Sequence, residues 1–381
     1  MGRLGTETAF EALARARALV AEGRSIVFLG IGEPDFDTPE HIVESGKAAL
    51  DQGFTHYTPA AGLAEVRASI AADMERRLGY PIPPTRVIVT PGAKPVMFFT
   101  ILALCEEGDE VVYPDPGFPI YESMIRFAGA TPVAMRLREE LGFNPDPDEL
   151  RRLITARTRL VILNSPNNPC GSVIPDDTLE LVAALSVEAD AVVLSDEIYK
   201  DFHFDGSHTS ITRFPGMPER TVVLDGLSKS YAMTGWRVGY GVFPAPLVDA
   251  VVRLVTNSVS CTAAFSQRAT IAALTGSQDS VRAMVAEFRA RRDLLVAGLN
   301  GLPGISCVSP RGAFYAFPNI TGTGLTSEEF ERRALHEAGV SLLAGTSFGK
   351  QGQGYARISF ASSRENLEEA IHRLSSFLRK L

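Results

Sequence analysis

Cysteine is scarce in this chain: four in 381 residues, at positions 105, 170, 261 and 307, with no CxxC pair and no histidines grouped near them. That spacing argues against a disulfide framework and against a zinc site, and it suits a reducing, cytoplasmic setting. Basic residues are outnumbered, 37 against 45 acidic, which leaves a net charge of −8. With no Lys/Arg cluster to break that balance, neither nucleic acid nor an anionic membrane is an expected partner, and any bound anion must be met by a local arrangement. No apolar run reaches membrane length. The start shows no apolar core of a signal peptide, because Arg3, Glu7, Glu11 and Arg15 interrupt the alanines and leucines and predict an amphipathic helix. Repeats and low-complexity tracts are also missing. What remains is an ordinary globular balance, 45% hydrophobic and 22% charged, sufficient for a large core.

Short β-branched runs punctuate the first two thirds: Val87–Val89, Glu110–Tyr113, Leu160–Leu163, Ala191–Leu194 and Thr221–Leu224. Apolar on both faces and separated by helix-length segments, they predict an α/β fold whose large domain has a mainly parallel sheet flanked by helices. Ligands of such sheets sit at the carboxyl ends of the strands, and Asn168, Asp196 and Lys229 each follow a run within a few residues. From Asp279 to Asn300, Val281, Met284, Val285, Phe288, Leu294, Leu295 and Leu299 keep helical spacing and lead out of the large domain. Beyond it, Ala313–Phe317, Ala356–Phe360 and a closing helix from Arg364 predict a smaller α/β C-terminal domain. The expected division is 1–40 as an N-terminal helix and substrate-closing segment packed with the small domain, 41–280 as the large domain and 281–381 as the small one.

Five segments carry candidate chemistry. In Leu224-Asp225-Gly226-Leu227-Ser228-Lys229-Ser230-Tyr231-Ala232-Met233-Thr234-Gly235-Trp236-Arg237, a lysine lies in a loop of small residues after an apolar strand, with an arginine two turns on. A Schiff-base lysine needs neighbours that leave room for a flat ring, and a nearby guanidinium can grip a phosphate with two hydrogen bonds. A bare Ser-Lys pair would equally suit an exposed loop. Gly92-Ala93-Lys94 follows a strand and opens a helix over Pro95–Cys105, where backbone N–H groups favour a phosphate, although an ordinary strand-to-helix turn looks the same. Asp196 ends a buried strand in Ser195-Asp196-Glu197-Ile198-Tyr199, and a buried carboxylate is costly unless it faces a cation or caps a helix. Asn164-Ser165-Pro166-Asn167-Asn168-Pro169-Cys170-Gly171 is rich in turn formers. Arg357, on the apolar strand Tyr355–Phe360, needs an anionic partner, for which a carboxylate has the right geometry.

Taken together, in this order and over nearly the whole chain, these segments resemble the class I aminotransferases of fold type I, which use pyridoxal 5'-phosphate. The resemblance implies that Lys229 is the Schiff-base lysine and moves the proton between the substrate α-carbon and the cofactor. It implies Asp196 at the pyridinium nitrogen, Tyr199 at the ring's phenolic oxygen and Phe118, in Pro116-Gly117-Phe118-Pro119, stacked on the ring. Gly92, Ala93, Lys94, Ser228 and Arg237 become the phosphate cradle, and Asn168 binds both ring oxygen and substrate carboxylate. Arg357 and the Gly32 backbone, in Gly30-Ile31-Gly32-Glu33-Pro34-Asp35, meet that carboxylate. Tyr57, in His56-Tyr57-Thr58-Pro59, corresponds to a tyrosine that reaches the phosphate of a neighbouring subunit, which implies a homodimer with shared sites. Two positions depart from the pattern. Gly226 stands where a serine often donates to the phosphate, with Ser228 as a substitute, and Cys170 replaces a threonine.

The implied reaction is amino transfer from an L-amino acid to a 2-oxo acid by a ping-pong mechanism. Lys94 matches a lysine that, in the prokaryotic aspartate aminotransferase branch, meets the distal carboxylate of aspartate. Phe118 counts the other way, since phenylalanine lacks the indole N–H of the tryptophan found in the family's dicarboxylate enzymes. The expectation is therefore an aspartate-type or broad aminotransferase, with an aromatic or alanine-type enzyme next and a pyridoxal-phosphate C–S lyase as a rival reaction. An aminotransferase-like sensing domain of a transcription regulator would need a DNA-binding module, for which there is no room before Gly32.

Overall fold

The computed structural model describes residues 4–5 and 8–381. Arg3 and Glu7 of the expected amphipathic helix lie outside the described residues; the helix itself runs Thr8–Ala21 and buries Ala9, Ala12, Ala16 and Leu19. All five β-branched runs are strands of one eight-stranded sheet, in the spatial order Val87–Thr90, Gly239–Val242, Thr221–Gly226, Val192–Asp196, Thr158–Asn164, Glu110–Asp115, Thr131–Arg138, Asn144–Pro145. The five central strands from Thr221–Gly226 to Thr131–Arg138 pair in parallel, and antiparallel pairs close both edges. Both faces are covered, which is why these strands read as continuous apolar runs. Along Thr158–Asn164, Ile162 packs into one core layer with Leu194 and Leu224, while Val161 and Leu163 pack into the opposite layer with Val193. The helix Lys94–Leu104 covers the first face and Asp176–Glu188 the second.

The C-terminal part follows its periodicity closely. A helix spans Asp279–Asn300, and the closing helix Arg364–Leu378 packs beside it with its N-cap Ser363 accepting from Asn366 N. Between them Ala356–Ser359 pairs antiparallel with Tyr315–Ala316 and with Leu343–Ala344. The N-terminal segment joins this region, since Val27–Phe28 pairs in parallel with Val340–Ser341. One expected strand is shorter than its apolar run. Ala313 sits at a φ of 55° and Pro318 has no N–H, so only Tyr315–Ala316 remains extended in Ala313–Phe317. One strand gave no β signal at all: Gly239–Val242 is half glycine, because a Cβ at Gly239 would lie 2.3 Å from Ala93 N.

Candidate active site

Parallel pairing sets the ends of three neighbouring strands side by side. Asn164 lies opposite Asp196, and Asp196 opposite Leu224, two residues before the strand ends at Gly226. Just beyond these ends opens a cavity of about 580 Å³, a size suited to a small organic ligand. Its wall includes Gly32, Ala93, Lys94, Phe118, Asn168, Asp196, Tyr199, Ser228, Lys229, Arg237 and Arg357. These residues come from eight separate stretches of the chain, so their convergence is the work of the fold.

The floor is buried and densely hydrogen-bonded. Asp196 is 8% exposed; its Oδ2 accepts from the Tyr121 hydroxyl at 2.6 Å and its Oδ1 from Ile198 N at 3.2 Å. Burial pushes its carboxyl up to about 6, against the lowering pull of those two donors. The Tyr199 hydroxyl meets that of Tyr315 at 2.7 Å, and burial first, then Tyr315, holds the Tyr199 phenol well above its ordinary range. Asn168 donates its backbone N–H to Asn164 Oδ1 at 2.8 Å, and its own Oδ1 accepts from Arg357 Nη1 at 2.9 Å. Arg357, 4% exposed, also donates to Gly30 O and lies between the rings of Tyr315 and Phe348, 4.5 and 4.6 Å from their centroids. Lys229 is half-buried, donates from Nζ to Gly32 O, and sits 5.9 Å and 5.8 Å from the ring centroids of Tyr199 and Phe314.

Toward the mouth the groups are exposed. Arg237 donates to Thr234 O at 2.8 Å and faces Gly92, whose φ is 87° and where a Cβ would come within 2.2 Å of the guanidinium. The positive φ favours glycine there, and its lack of a side chain leaves room for the guanidinium. Ala93 and Lys94 begin the helix Lys94–Leu104, whose first N–H groups have no partner inside the helix. Lys94 Nζ lies 5.3 Å from the Phe118 ring and 5.9 Å from that of Phe10, which reaches the mouth from the N-terminal helix. Gly32 packs so close to Tyr315 that a Cβ would fall 1.9 Å from its hydroxyl.

Two expected site residues are not in the cavity wall. Gly92 stands behind Arg237, and Tyr57 is 90% exposed. At Gly226 a Cβ would fit tightly, 3.1 Å from Gly239 Cα and 3.2 Å from Val238 O, and Ser228 lines the cavity. Cys170 is buried, receives no cavity exposure and packs with Phe317 and Phe348. Sequence reasoning missed Tyr121, Tyr315, Asn164 and Phe10 as wall residues. Tyr121 carried a usable signal, being one helical turn after Phe118; Phe10 carried none, because only tertiary packing brings its helix to the mouth.

The family model for aminotransferases of class I and II matches residues 24–374 of this chain. The chain belongs to that family. An aspartate aminotransferase of Pyrococcus horikoshii is 41% identical over 356 residues, 93% of this chain and 90% of that protein. An aromatic-amino-acid aminotransferase 2 of Thermococcus litoralis is 41% identical over 366 residues, 95% of this chain and 94% of that one. Among solved structures, the aspartate aminotransferase of Thermus thermophilus with maleate superposes with a TM-score of 0.93 at 39% identity, covering 98% of this chain and 97% of that one. The fold is accordingly that of a fold type I pyridoxal-phosphate enzyme, and this aminotransferase acts on amino acids and 2-oxo acids with pyridoxal 5'-phosphate.

The residues present fit that cofactor. A buried carboxylate whose proton affinity is raised by desolvation is matched by a cationic ring nitrogen, and Asp196 faces the cavity in that state. The glycine at Gly92 leaves Arg237 beside a helix N-terminus, a combination suited to a phosphate. No helix among the described residues is long and apolar enough to cross a membrane.

Proposed function

We propose that this aminotransferase has aspartate-type or broad specificity and works as a ping-pong enzyme on one cavity. The supporting observation is that two cations, Arg357 on the buried floor and Lys94 at the mouth, line the same cavity as Lys229. In this reading Arg357 takes the α-carboxylate that all donors share, with Asn168 and the Gly32 backbone beside it, and Lys94 meets the second carboxylate of a dicarboxylic donor. The Thermus relative was solved with maleate, a dicarboxylate, which agrees with that assignment. Phe10 and Phe118 beside Lys94 add an apolar face that suits aromatic side chains, and the aromatic-amino-acid relative gives this second reading its weight.

Bound in this cavity, pyridoxal phosphate supplies an aldehyde for amines and a ring that accepts the electron pair left when the α-proton departs. Lys229 Nζ would hold it covalently and, freed by the substrate amine, would serve as the base and acid that moves the α-proton. Asp196 holds a proton on the ring nitrogen, and Tyr121 holds Asp196 in place. Tyr199 would donate to the ring oxygen, and Phe118 would stack on the ring. Gly92, Ala93, Lys94, Ser228 and Arg237 hold the phosphate, joined by Tyr57 of a second copy in a homodimer; the 90% exposure of Tyr57 supports its availability to a partner. The same reading keeps residues 1–40, 41–280 and 281–381 as closing segment, large domain and small domain, in a reducing, cytoplasmic setting.

An amino-donor screen with 2-oxoglutarate as acceptor tests this. Expected is stoichiometric formation of oxo acid and glutamate, with aspartate among the best donors and aromatic amino acids also accepted. Release of ammonia and pyruvate in place of amino transfer would assign a lyase.

A further inference from the structure

Behind the cavity floor lies a buried ionic cluster that none of the roles above uses. Lys200 directly follows Tyr199 in sequence, yet its side chain is absent from the cavity wall and turns to the other side of the strand ends. It is 8% exposed, with Nζ 3.0 and 2.9 Å from the two oxygens of Asp225 and 3.2 Å from Asp201 Oδ2. Asp225 is fully buried; it also accepts from the Tyr240 hydroxyl at 3.1 Å and from Gly226 N at 2.7 Å, and pairs with Arg77 at 3.0 Å. Asp201 in turn accepts from the Ser230 hydroxyl. Asp73, on the helix that carries Arg77, and Tyr231 face the same cluster.

The connectivity matters because Asp225 and Ser230 flank the loop that holds Lys229. One ammonium therefore ties together the turn bearing Asp196 and Tyr199, through its own backbone, and both ends of the lysine loop, through Asp225 and through Asp201 with Ser230. Burial pulls the Lys200 pKa down, but Asp201 and Asp225 more than offset this and keep it charged. Buried ion pairs of this kind are weak contributors to stability compared with apolar packing of the same volume. What such a cluster does supply is a fixed geometry between the segments that it joins.

We infer that Lys200 is a positioning residue for the reaction, setting Lys229 Nζ against Asp196 and Tyr199 without touching substrate or cofactor. This rests on the reading of Lys229 as the cofactor lysine. Displacement of a reacting amine by about 1 Å costs on the order of 100-fold in rate while leaving substrate recognition by distant groups in place.

The test uses the holoenzyme and two variants, Lys200→Met, which keeps the length and removes the charge, and Ser230→Ala, which cuts only the link through Asp201. Three quantities are read: the pH midpoint at which the absorbance of the Lys229-bound cofactor changes, kcat and KM for one donor, and the thermal midpoint. Expected for Lys200→Met is a displacement of the spectral midpoint by about one pH unit and a fall in kcat of about 10- to 100-fold, with KM within about threefold of the parent. Ser230→Ala is expected to move the same two quantities in the same direction by less. If Lys200→Met fails to fold, Ser230→Ala decides alone. An unchanged spectral midpoint and kcat in folded variants, whatever the thermal midpoint does, overturns the inference. Borohydride trapping on the unaltered enzyme separates the two levels: a label on Lys229 together with unaffected variants rejects only the role of Lys200, whereas a label elsewhere rejects the reading beneath it.

Discussion

The floor of the cavity and its mouth are built on different principles. On the floor, Asp196, Tyr199, Asn168 and Arg357 are each less than 10% exposed and each is held by at least one named partner. At the mouth, Lys94 and Arg237 are exposed, Phe10 is 60% exposed, and Lys94 is set against the aromatic rings of Phe10 and Phe118. Buried polar groups with fixed partners cannot adapt without leaving something unsatisfied, so the floor suits the part of the reaction that is the same for every substrate. Exposed side chains over apolar rings can adapt, so the mouth suits the part of the substrate that varies.

The contrast predicts a gradient of mutational effects. Lys229→Ala removes the proposed proton carrier, and turnover with every donor is expected to fall by at least about 1,000-fold, within the range seen for loss of acid–base groups. Steady-state rates with aspartate, alanine and phenylalanine check it, and a loss confined to one donor would break the division. Asp196→Ala leaves the Tyr121 hydroxyl without its carboxylate and, in the proposed reading, the ring nitrogen without its counter-charge. A loss of about 3–4 kcal/mol of transition-state stabilisation is expected, again for all donors, while the fold persists by circular dichroism. Near-normal turnover would reduce Asp196 to a carboxylate that holds the turn at Ile198.

The two arginine and lysine sites sharpen the comparison further. Arg357→Ala is expected to lower kcat/KM by about 10- to 100-fold for aspartate and alanine alike, the worth of a charged hydrogen-bond pair. Lys94→Ala is expected to lower it by about tenfold for aspartate and to leave alanine nearly unchanged, since an exposed ion pair is worth about 1 kcal/mol. Equal losses for both donors in Lys94→Ala would leave Lys94 as a phosphate-loop residue alone and remove its role toward a second carboxylate.

A separate effect is expected in stability. With its carboxyl raised to about 6 in the cofactor-free protein, Asp196 keeps a proton that the unfolded chain releases near pH 4. The native state therefore binds more protons in that window, and stability falls as pH rises through it, by about 2 kcal/mol for a group so placed. Burial raises Asp115 to about 6 as well, so the Asp196 share is read as the difference between the parent and Asp196→Asn in urea unfolding at pH 4.5 and 6.5. Bound cofactor is expected to abolish that share, because a ring cation keeps the carboxylate ionised.

The floor and the mouth were legible in the sequence in different ways. Asp196, Asn168 and Lys229 follow apolar strand runs whose period and composition place them at one end of a parallel sheet, and Arg357 stands out as a charge on an apolar strand. Tyr121 was within reach through its spacing from Phe118. Phe10 was not, because helical periodicity says which face of Thr8–Ala21 is buried but not what the exposed face covers. The same limit hid Gly239–Val242, where the requirement for close backbone contact overrides strand propensity, and the Lys200 cluster, where charges far apart in sequence meet in the interior.

The most direct test of the division is chemical. Three lysines surround the floor and mouth, Lys229 and Lys94 in the cavity wall and Lys200 behind it. Borohydride reduction of the purified holoenzyme, followed by peptide mapping, reports which amine holds the cofactor. The account predicts a single reduced cofactor group on the peptide that contains Lys229, lost in Lys229→Ala. A label on Lys94 or Lys200, or a reducible adduct and turnover that survive Lys229→Ala, would contradict it.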